Sequence, residues 1–315
     1  MMREKNLRID IVRGIVAYIL IVLSSMPCEV FGAEDGIDVK VNGRGAVIMD
    51  AARGDILYAK NPQAKFPPAS TAKVMTCILA IEKLGLDDDV VPGKDVIHVE
   101  PTIIGLKVGV RYKVRDLISA MLIKSANDAA FAIAEAISGD ERSFAGLMNE
   151  KAREIGMTNT NFIKASGLPT GRKDAQYTTA EDLAAMMRYA IRYPEILENM
   201  SRKEAYISGS DGRKIHLKTH NKSLFKGSTA PWGKTGYTRE ARRTFVGVNP
   251  DMSPSIVFSL LKSREIWDDI AELNEKGMQL LEASRRTVID KVLDWVRAQR
   301  EKGRKKTEGA IPPVM

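Results

Sequence analysis

Pro68-Ala69-Ser70-Thr71-Ala72-Lys73-Val74-Met75-Thr76-Cys77-Ile78-Leu79-Ala80-Ile81-Glu82 is the stretch on which the fold reading turns. Pro67 and Pro68 stop whatever precedes it, because proline cannot continue a hydrogen-bonded element. From Ser70 the pattern predicts a helix to about residue 82. Val74, Met75, Cys77, Ile78, Leu79 and Ile81 make that helix apolar nearly all round, so it belongs at the centre of the molecule. Ser70 and Lys73 stand three apart at its start, on one face. A serine hydroxyl is a poor nucleophile until a base takes its proton. A lysine can be that base if burial penalises its ammonium form. The helix N-terminus adds backbone N–H groups and positive potential for a developing oxyanion. Ser and Lys at this spacing also arise by chance in a chain of this length, so the pair alone does not decide the matter.

Upstream, residues 46–49 and 56–59 are β-like runs joined through the turn signal Arg53-Gly54-Asp55. Downstream, residues 115–124, 127–138, 141–155 and 179–192 carry apolar side chains at three- and four-residue spacing and are predicted helices. Thr178-Thr179-Ala180-Glu181 reads as a capping box for the last of them. Residues 204–218 read as a hairpin turning at Asp211-Gly212. Strands are predicted at 233–238, 244–248 and 255–261. An amphipathic helix follows at 266–281 and a further helix at about 287–300. Strands at both ends and helices between them predict one α/β domain. Its terminal strands would share a sheet, with a helical subdomain inserted between them.

The ends of the chain differ from its middle. Arg3, Lys5, Arg8 and Arg13 precede an apolar run at 14–26, and small residues follow at Gly32 and Ala33. Residues 1–33 thus read as a cleaved export signal, the apolar run being short for a membrane span; an uncleaved anchor is the alternative. Cys28 lies before the cut, leaving Cys77 alone in the mature chain. A lone cysteine makes no intrachain disulfide, and in its apolar run Cys77 reads as a buried small hydrophobe. The formal net charge is +8. Much of it comes from residues 285–306, where nine Lys or Arg meet three acids. No aromatic-basic interleaving of the kind that stacks bases is present, so nucleic acid is not an expected partner. Val288, Ile289, Val292, Leu293, Trp295 and Val296 form an apolar stripe beside those basic residues. That pattern fits either an interfacial helix on anionic lipid or a final helix packed on the domain.

Several chemistries lack their signatures. There is no G-x-S-x-G elbow, no H-E-x-x-H and no phosphate-cradling G-x-x-x-x-G-K-[ST]. His98, His216 and His220 do not form a metal-ligand set. Two further elements are present. Ser125-Ala126-Asn127 falls between two predicted helices, where Ser and Asn ordinarily cap. Lys234-Thr235-Gly236 opens a predicted strand, where glycine permits close approach of backbone and substrate, and alone it could be a solvated turn.

In order and spacing, the three elements together resemble the active-site serine penicilloyl-recognising enzymes, that is, penicillin-binding proteins and serine β-lactamases. The chain looks most like a D-alanyl-D-alanine carboxypeptidase of the low-molecular-mass penicillin-binding type. The resemblance covers about residues 40–282 and includes residues 46–50, 68–73 and 125–130. It continues through Gly167-Leu168, residues 177–183, His220-Asn221 and residues 233–238. It implies a β-lactamase/transpeptidase-like fold: a five-stranded antiparallel sheet flanked by helices, with the site between sheet and helical region. It implies Ser70 as the acylated nucleophile, Lys73 as proton acceptor and Ser125 as proton relay to the leaving D-alanine. Asn127 would hold the substrate peptide, and Lys234 and Thr235 would grip its terminal carboxylate. Gly236 would let the strand approach, and backbone N–H groups of Ser70 and Tyr237 would form the oxyanion hole. The implied partners are the peptidoglycan stem peptide and β-lactam inhibitors, with no metal or organic cofactor.

Two departures stand out. Many relatives carry Asn-x-His-Gly-Leu where this chain has Lys164-Ala165-Ser166-Gly167-Leu168. Relatives often place Ala-Gly where this chain has Ala241-Arg242. A class A β-lactamase would need a deacylating glutamate within residues 161–168, and none is there. A DD-endopeptidase of cross-links could use the same residues. An idle cell-wall-binding scaffold would not need all three motifs. The expected organisation is signal peptide 1–33, peptidase domain 34–282 and a basic amphipathic tail 283–315, with no room after 282 for a further β-rich domain. Expected localisation is the periplasm or the outer face of the cytoplasmic membrane.

Overall fold

The computed structural model describes residues 37–169, 171 and 176–308, so the expected signal segment lies outside the described residues. Strand β1 (Gly45–Asp50) turns back as β2 (Ile56–Lys60). Asp50 fastens the turn, accepting from the backbone N–H groups of Ala52 and Arg53 at 2.8 and 2.9 Å. A 3-10 turn, Ala69–Ala72, then runs directly into helix α1 (Lys73–Lys83). The expected helix began at Ser70; the structure places Ser70 in the tighter turn instead. Thr71 Oγ1 donates to the Pro68 carbonyl at 2.7 Å and closes that turn locally. From Lys73 to Ala80 every residue of α1 is buried, as an all-round apolar helix requires.

Strands β3 (Asp89–Val90) and β4 (Tyr112–Lys113) pair and close the long 91–111 loop. Helix α2 (Val114–Ser119) does not continue regularly to residue 124 as expected. It widens into a π turn at Ala120–Lys124. Helices α3 (Asn127–Ser138) and α4 (Glu141–Glu154) follow, then α5 (Ala180–Ala190) and α6 (Pro194–Ser201). The cap of α5 is Thr179, whose Oγ1 accepts from the Asp182 N–H at 3.1 Å. The expected box sat one residue earlier, but Thr178 is drawn into a β-bridge with Phe66. Such a cap contributes about 1 kcal/mol. Helix α6 has no counterpart among the expectations. It is short and starts on Pro194, a residue that favours first-turn positions.

The hairpin of β5 (Glu204–Ser208) and β6 (Lys214–Lys218) forms as expected, with Gly212 at φ +76° in its turn. Strands β7 (Trp232–Thr238), β8 (Arg242–Val248) and β9 (Ile256–Ser263) complete the sheet. Its order is β2-β1-β9-β8-β7, antiparallel throughout, so strands from the two ends of the chain meet at β1 and β9. The inserted region is mainly helical, and it also carries the β3–β4 and β5–β6 pairs.

Helix α7 (Ile266–Glu308) covers one face of the sheet. Ala46, Ile48, Phe245, Phe258 and Leu260 pack there against Ile266, Ile270, Leu273 and Leu280. The alternate residues Val47, Met49, Val246 and Val257 point the other way, into the core shared with α1 to α6. This is the two-residue period of a strand covered on both faces, and it explains why β1 is buried along its whole length. Two helices were expected after residue 266, parted near 282–286. The structure has one, because Ala283-Ser284-Arg285-Arg286 contains no glycine or proline to break it. Of the apolar stripe, only Leu293 has a described side chain, and it is exposed. No described helix is long and apolar enough to cross a membrane.

Candidate active site

Three elements converge at one edge of the sheet. The 3-10 turn brings Ser70 and, at its exit, Lys73. The π turn ends on Ser125, whose backbone is left-handed at φ 64°, ψ 32°. That conformation costs a non-glycine residue on the order of 1–2 kcal/mol. It turns the chain sharply enough for Asn127 to open α3 immediately afterwards. Asn127 N–H donates to the Thr102 carbonyl at 2.7 Å, and its Nδ2 donates to the Glu100 carbonyl at 2.9 Å. Edge strand β7 supplies Lys234, Thr235, Gly236 and Tyr237. A Cβ at Gly236 would lie 2.8 Å from the Ser70 backbone nitrogen and 3.1 Å from the Ala69 Cβ. Only glycine lets β7 come this close to the nucleophile's turn. The Tyr237 ring is exposed, at the wall of the cleft, with the Arg243 guanidinium over it.

Lys73 is completely buried. Its Nζ lies 2.7 Å from Asn127 Oδ1, 2.8 Å from the Ser166 carbonyl oxygen and 2.9 Å from Ser70 Oγ. A neutral amine has two N–H donors and one lone pair. As an ammonium Lys73 donates to all three oxygens; as a neutral amine it would give its two N–H groups to the carbonyl oxygens and turn its lone pair to the Ser70 hydroxyl proton. Burial, and then the like charge of Lys234, push the Lys73 pKa well below its ordinary value. The second lysine, Lys234, is also buried, and burial lowers its pKa to about 7. Its Nζ donates to Ser125 Oγ at 2.9 Å and to the Thr235 carbonyl at 2.5 Å. Ser70, Thr102, Ser125, Thr219, His220, Thr235, Gly236, Arg243 and Trp267 line a cleft of about 410 Å³.

All the residues singled out in sequence meet here: Ser70, Lys73, Ser125, Asn127, Lys234, Thr235, Gly236 and Tyr237. Others entered the sequence reading without a role in the site, or not at all. The carbonyl of Ser166 contacts Lys73, and Gln176 fixes the loop that carries it. Gln176 Oε1 accepts from the N–H groups of Ile163 and Lys164 at 3.0 and 2.9 Å, and Nε2 donates to the Leu168 carbonyl at 3.1 Å. Thr76 Oγ1 donates to the Ala165 carbonyl at 2.7 Å. Gly167 (φ +75°) packs so closely on the Ala69 carbonyl that no Cβ fits. Buried Asp128 gathers the N–H groups of Ile104, Gly105 and Leu106 at 2.8 to 3.2 Å and pins the opposite wall. A lone glutamine in a loop carries no local signal. Asp128 carries only the weak one of an acid in a first helical turn. His220 is held neutral by burial and by Lys234, its pKa lowered to about 4. Cys77 is buried, and burial pushes its thiol up, which makes it inert.

Fold and site together define a serine peptidase, with a buried lysine 2.9 Å from the serine hydroxyl. The chain belongs to the D-alanyl-D-alanine carboxypeptidase family, whose model matches residues 32–257. It is similar to the D-alanyl-D-alanine carboxypeptidase DacF of Bacillus subtilis, 30% identical over 70% of this chain and 58% of that protein. It is also similar to DacB2 of Mycobacterium tuberculosis, 30% identical over 74% of this chain and 81% of that one. The crystal structure of a D-alanyl-D-alanine carboxypeptidase from Mycobacterium tuberculosis superposes with a TM-score of 0.73 at 28% identity. That superposition covers 80% of this chain and 96% of the other. The chain thus spans most of the mycobacterial proteins but little more than half of the Bacillus one.

Proposed function

We propose that this protein is a serine-type D-Ala-D-Ala carboxypeptidase that removes the terminal D-alanine from peptidoglycan stem peptides. The observation that carries the reading is the buried Lys73 amine, its pKa pushed down by burial, held between Asn127 Oδ1 and the Ser166 carbonyl with Ser70 Oγ 2.9 Å away. Ser70 Oγ gives its proton to Lys73 and bonds to the penultimate D-alanine carbonyl carbon. The backbone N–H groups of Ser70 and Tyr237 face the oxyanion. Lys234 and Thr235 take the terminal carboxylate, and Ser125, bonded to Lys234, passes a proton to the leaving nitrogen. Water then hydrolyses the ester and frees Ser70. β-Lactams, which also present a carboxylate beside a strained amide, acylate the same serine. Incubating purified protein with pentapeptide substrate should release free D-alanine, and Ser70→Ala should release none. A wild-type protein that binds penicillin covalently but frees no D-alanine would contradict the carboxypeptidase reading.

The organisation that fits this chemistry is an export signal at 1–33, a peptidase domain at 34–282 and a tail at 283–315. Peptidoglycan lies outside the cytoplasm, so the protein acts on the periplasmic or outer side of the membrane. The tail's basic and apolar pattern, on a backbone helix that runs to Glu308, supports peripheral contact with anionic lipid. Deleting residues from 286 onward should shift the protein from the membrane to the soluble fraction, and unchanged membrane association would exclude the tail as anchor.

A further inference from the structure

The β5–β6 hairpin has two unlike faces. Ile207 and Leu217 point inward and are buried. The outward face pairs Glu204 with Lys218, Tyr206 with His216 and Ser208 with Lys214. Tyr206 keeps 68% of its surface exposed, and its ring stacks on that of His216 with 4.6 Å between centroids and 14° between planes. The two rings come from different strands, so neither stretch of sequence shows the pair. Glu204 stands opposite Lys218, yet its carboxylate lies 2.9 Å from His216 Nε2. Lys214 and Lys218 therefore meet no acid among the described residues, and they flank the rings with unpaired charge.

A two-stranded ribbon by itself is marginal in water. This one is held at both ends. At its tip, Ser210 N–H donates to the Arg111 carbonyl at 2.9 Å and Arg213 Nη2 donates to the Gly105 carbonyl at 2.6 Å. Lys107 Nζ meets Asp211 there at 2.8 Å. At the other end β6 runs straight into Thr219 and His220, which wall the reaction cleft. From His216 to Thr219 the chain advances about 10 Å at the rise of a strand. The stacked rings are thus a fixed surface beside the cleft and outside it.

We propose that this face is a docking site for the glycan strand of peptidoglycan. The C–H bonds of a pyranose ring carry partial positive charge and the face of an aromatic ring is negative, so a sugar lies flat against an exposed tyrosine. Cross-strand aromatic pairs also serve simply to stabilise a hairpin. That role has no use for two unpaired lysines beside the rings. Their charge complements the carboxylates of the stem peptides that a glycan strand carries. A lipid surface would instead call for apolar side chains to insert, and Ile207 and Leu217 face inward. Docking adds no bond-making step; it holds the cleft against the polymer and raises the local concentration of stems. This inference rests on the carboxypeptidase reading above, which supplies the polymer.

Binding is read by co-sedimentation of the full chain with purified peptidoglycan sacculi, in a Ser70→Ala background that cannot turn over. Adding Tyr206→Ala should weaken this binding about three- to tenfold, the weight of one aromatic contact. Tyr206→Trp, which keeps a ring, should retain it. Lys214→Gln together with Lys218→Gln should weaken it and flatten its salt dependence. Sacculi stripped of their stem peptides by an amidase separate the two contacts: the tyrosine effect should persist and the lysine effect should vanish. With Ser70 intact, Tyr206→Ala should slow D-alanine release from sacculi. Its release of D-alanine from a soluble pentapeptide, and its acylation by labelled penicillin, should stay within about twofold of wild type. Sacculus binding unchanged by Tyr206→Ala overturns the proposal. A loss seen only with phosphatidylglycerol vesicles also overturns it, by putting a lipid surface on this face. Wild type that binds sacculi through Tyr206 yet frees no D-alanine from pentapeptide would contradict the carboxypeptidase reading and leave the docking site standing.

Discussion

The amine of Lys73 is surrounded by two carbonyl oxygens and one hydroxyl, a set that a neutral amine fits and that leaves its lone pair for Ser70. Lys234 is buried as well. Its neighbours, Ser125 Oγ and the Thr235 carbonyl, carry no full charge, and burial alone brings its pKa to about 7. A substrate carboxylate beside it must favour the ammonium form. Binding of a carboxylate ligand above pH 7 should therefore take up a proton. Calorimetry at pH 8 in buffers of different ionisation enthalpy should show a buffer-dependent heat of binding for the Ser70→Ala protein. Identical heats in all buffers would mean that Lys234 is already charged or does not meet the carboxylate. At this scale the sequence was informative about type and spacing. Ser70 and Lys73 could be placed on one face, and the apolar helix around them foretold a depressed lysine pKa. It marked Ser166 only as part of a departure from the relatives and not as a neighbour of Lys73, because that contact is made by its backbone carbonyl, which no side-chain pattern encodes.

At the scale of elements, the site depends on two irregularities that periodicity does not reveal. One is the 3-10 turn that carries Ser70. The other is the π turn whose last step leaves Ser125 left-handed. Apolar spacing over residues 115–124 is the same for an α-helix that ends in a π turn as for one that does not, so a regular helix was the natural expectation. The left-handed backbone gives a separable prediction. Ser125→Ala and Ser125→Gly both remove the hydroxyl and should both slow turnover. The glycine variant relieves the backbone strain, so it should be more stable than the alanine variant by about 1 kcal/mol in urea unfolding. Equal stability of the two would show that the turn stores no strain. Strands β7 to β9 and the β5–β6 hairpin were legible, because alternation and Asp-Gly turn chemistry are local. The union of Lys73 and Lys234 was implied only by the family resemblance and not by local pattern, because it needs β7 to reach the start of α1 through sheet closure.

For the whole molecule, two buried lysines set a pH dependence. An unfolded lysine has a pKa of about 10.4. The folded value of about 7 for Lys234 lies below it. Between these values the unfolded chain binds more protons than the native one, so stability rises with pH. The cost of burying Lys234 is fully present below about pH 7 and fades toward pH 10. Lys73, also lowered, adds to the same slope. The urea midpoint of the wild type should climb from pH 7 to pH 9, and that of Lys234→Met should climb less. Parallel slopes would place the lysine's titration outside this window. Two apolar clusters, one on the face of the sheet under α1 to α6 and one on the face under α7, offset this cost. The overall arrangement of strands at both ends around a helical insertion followed from element order alone. The single length of α7 did not, since its amphipathic pattern changes character near residue 282 without any residue that breaks a helix.

The central claim is that Ser70, with its proton directed to a neutral Lys73, is the acylated atom of the site. Intact-protein and peptide mass spectrometry after exposure to penicillin tests it most directly. The account predicts one added penicilloyl group per chain, mapped to the peptide containing Ser70. It should be absent in Ser70→Ala and form far more slowly in Lys73→Met, whose fold retains the apolar volume. An adduct on another residue, or one that persists in Ser70→Ala, would contradict it.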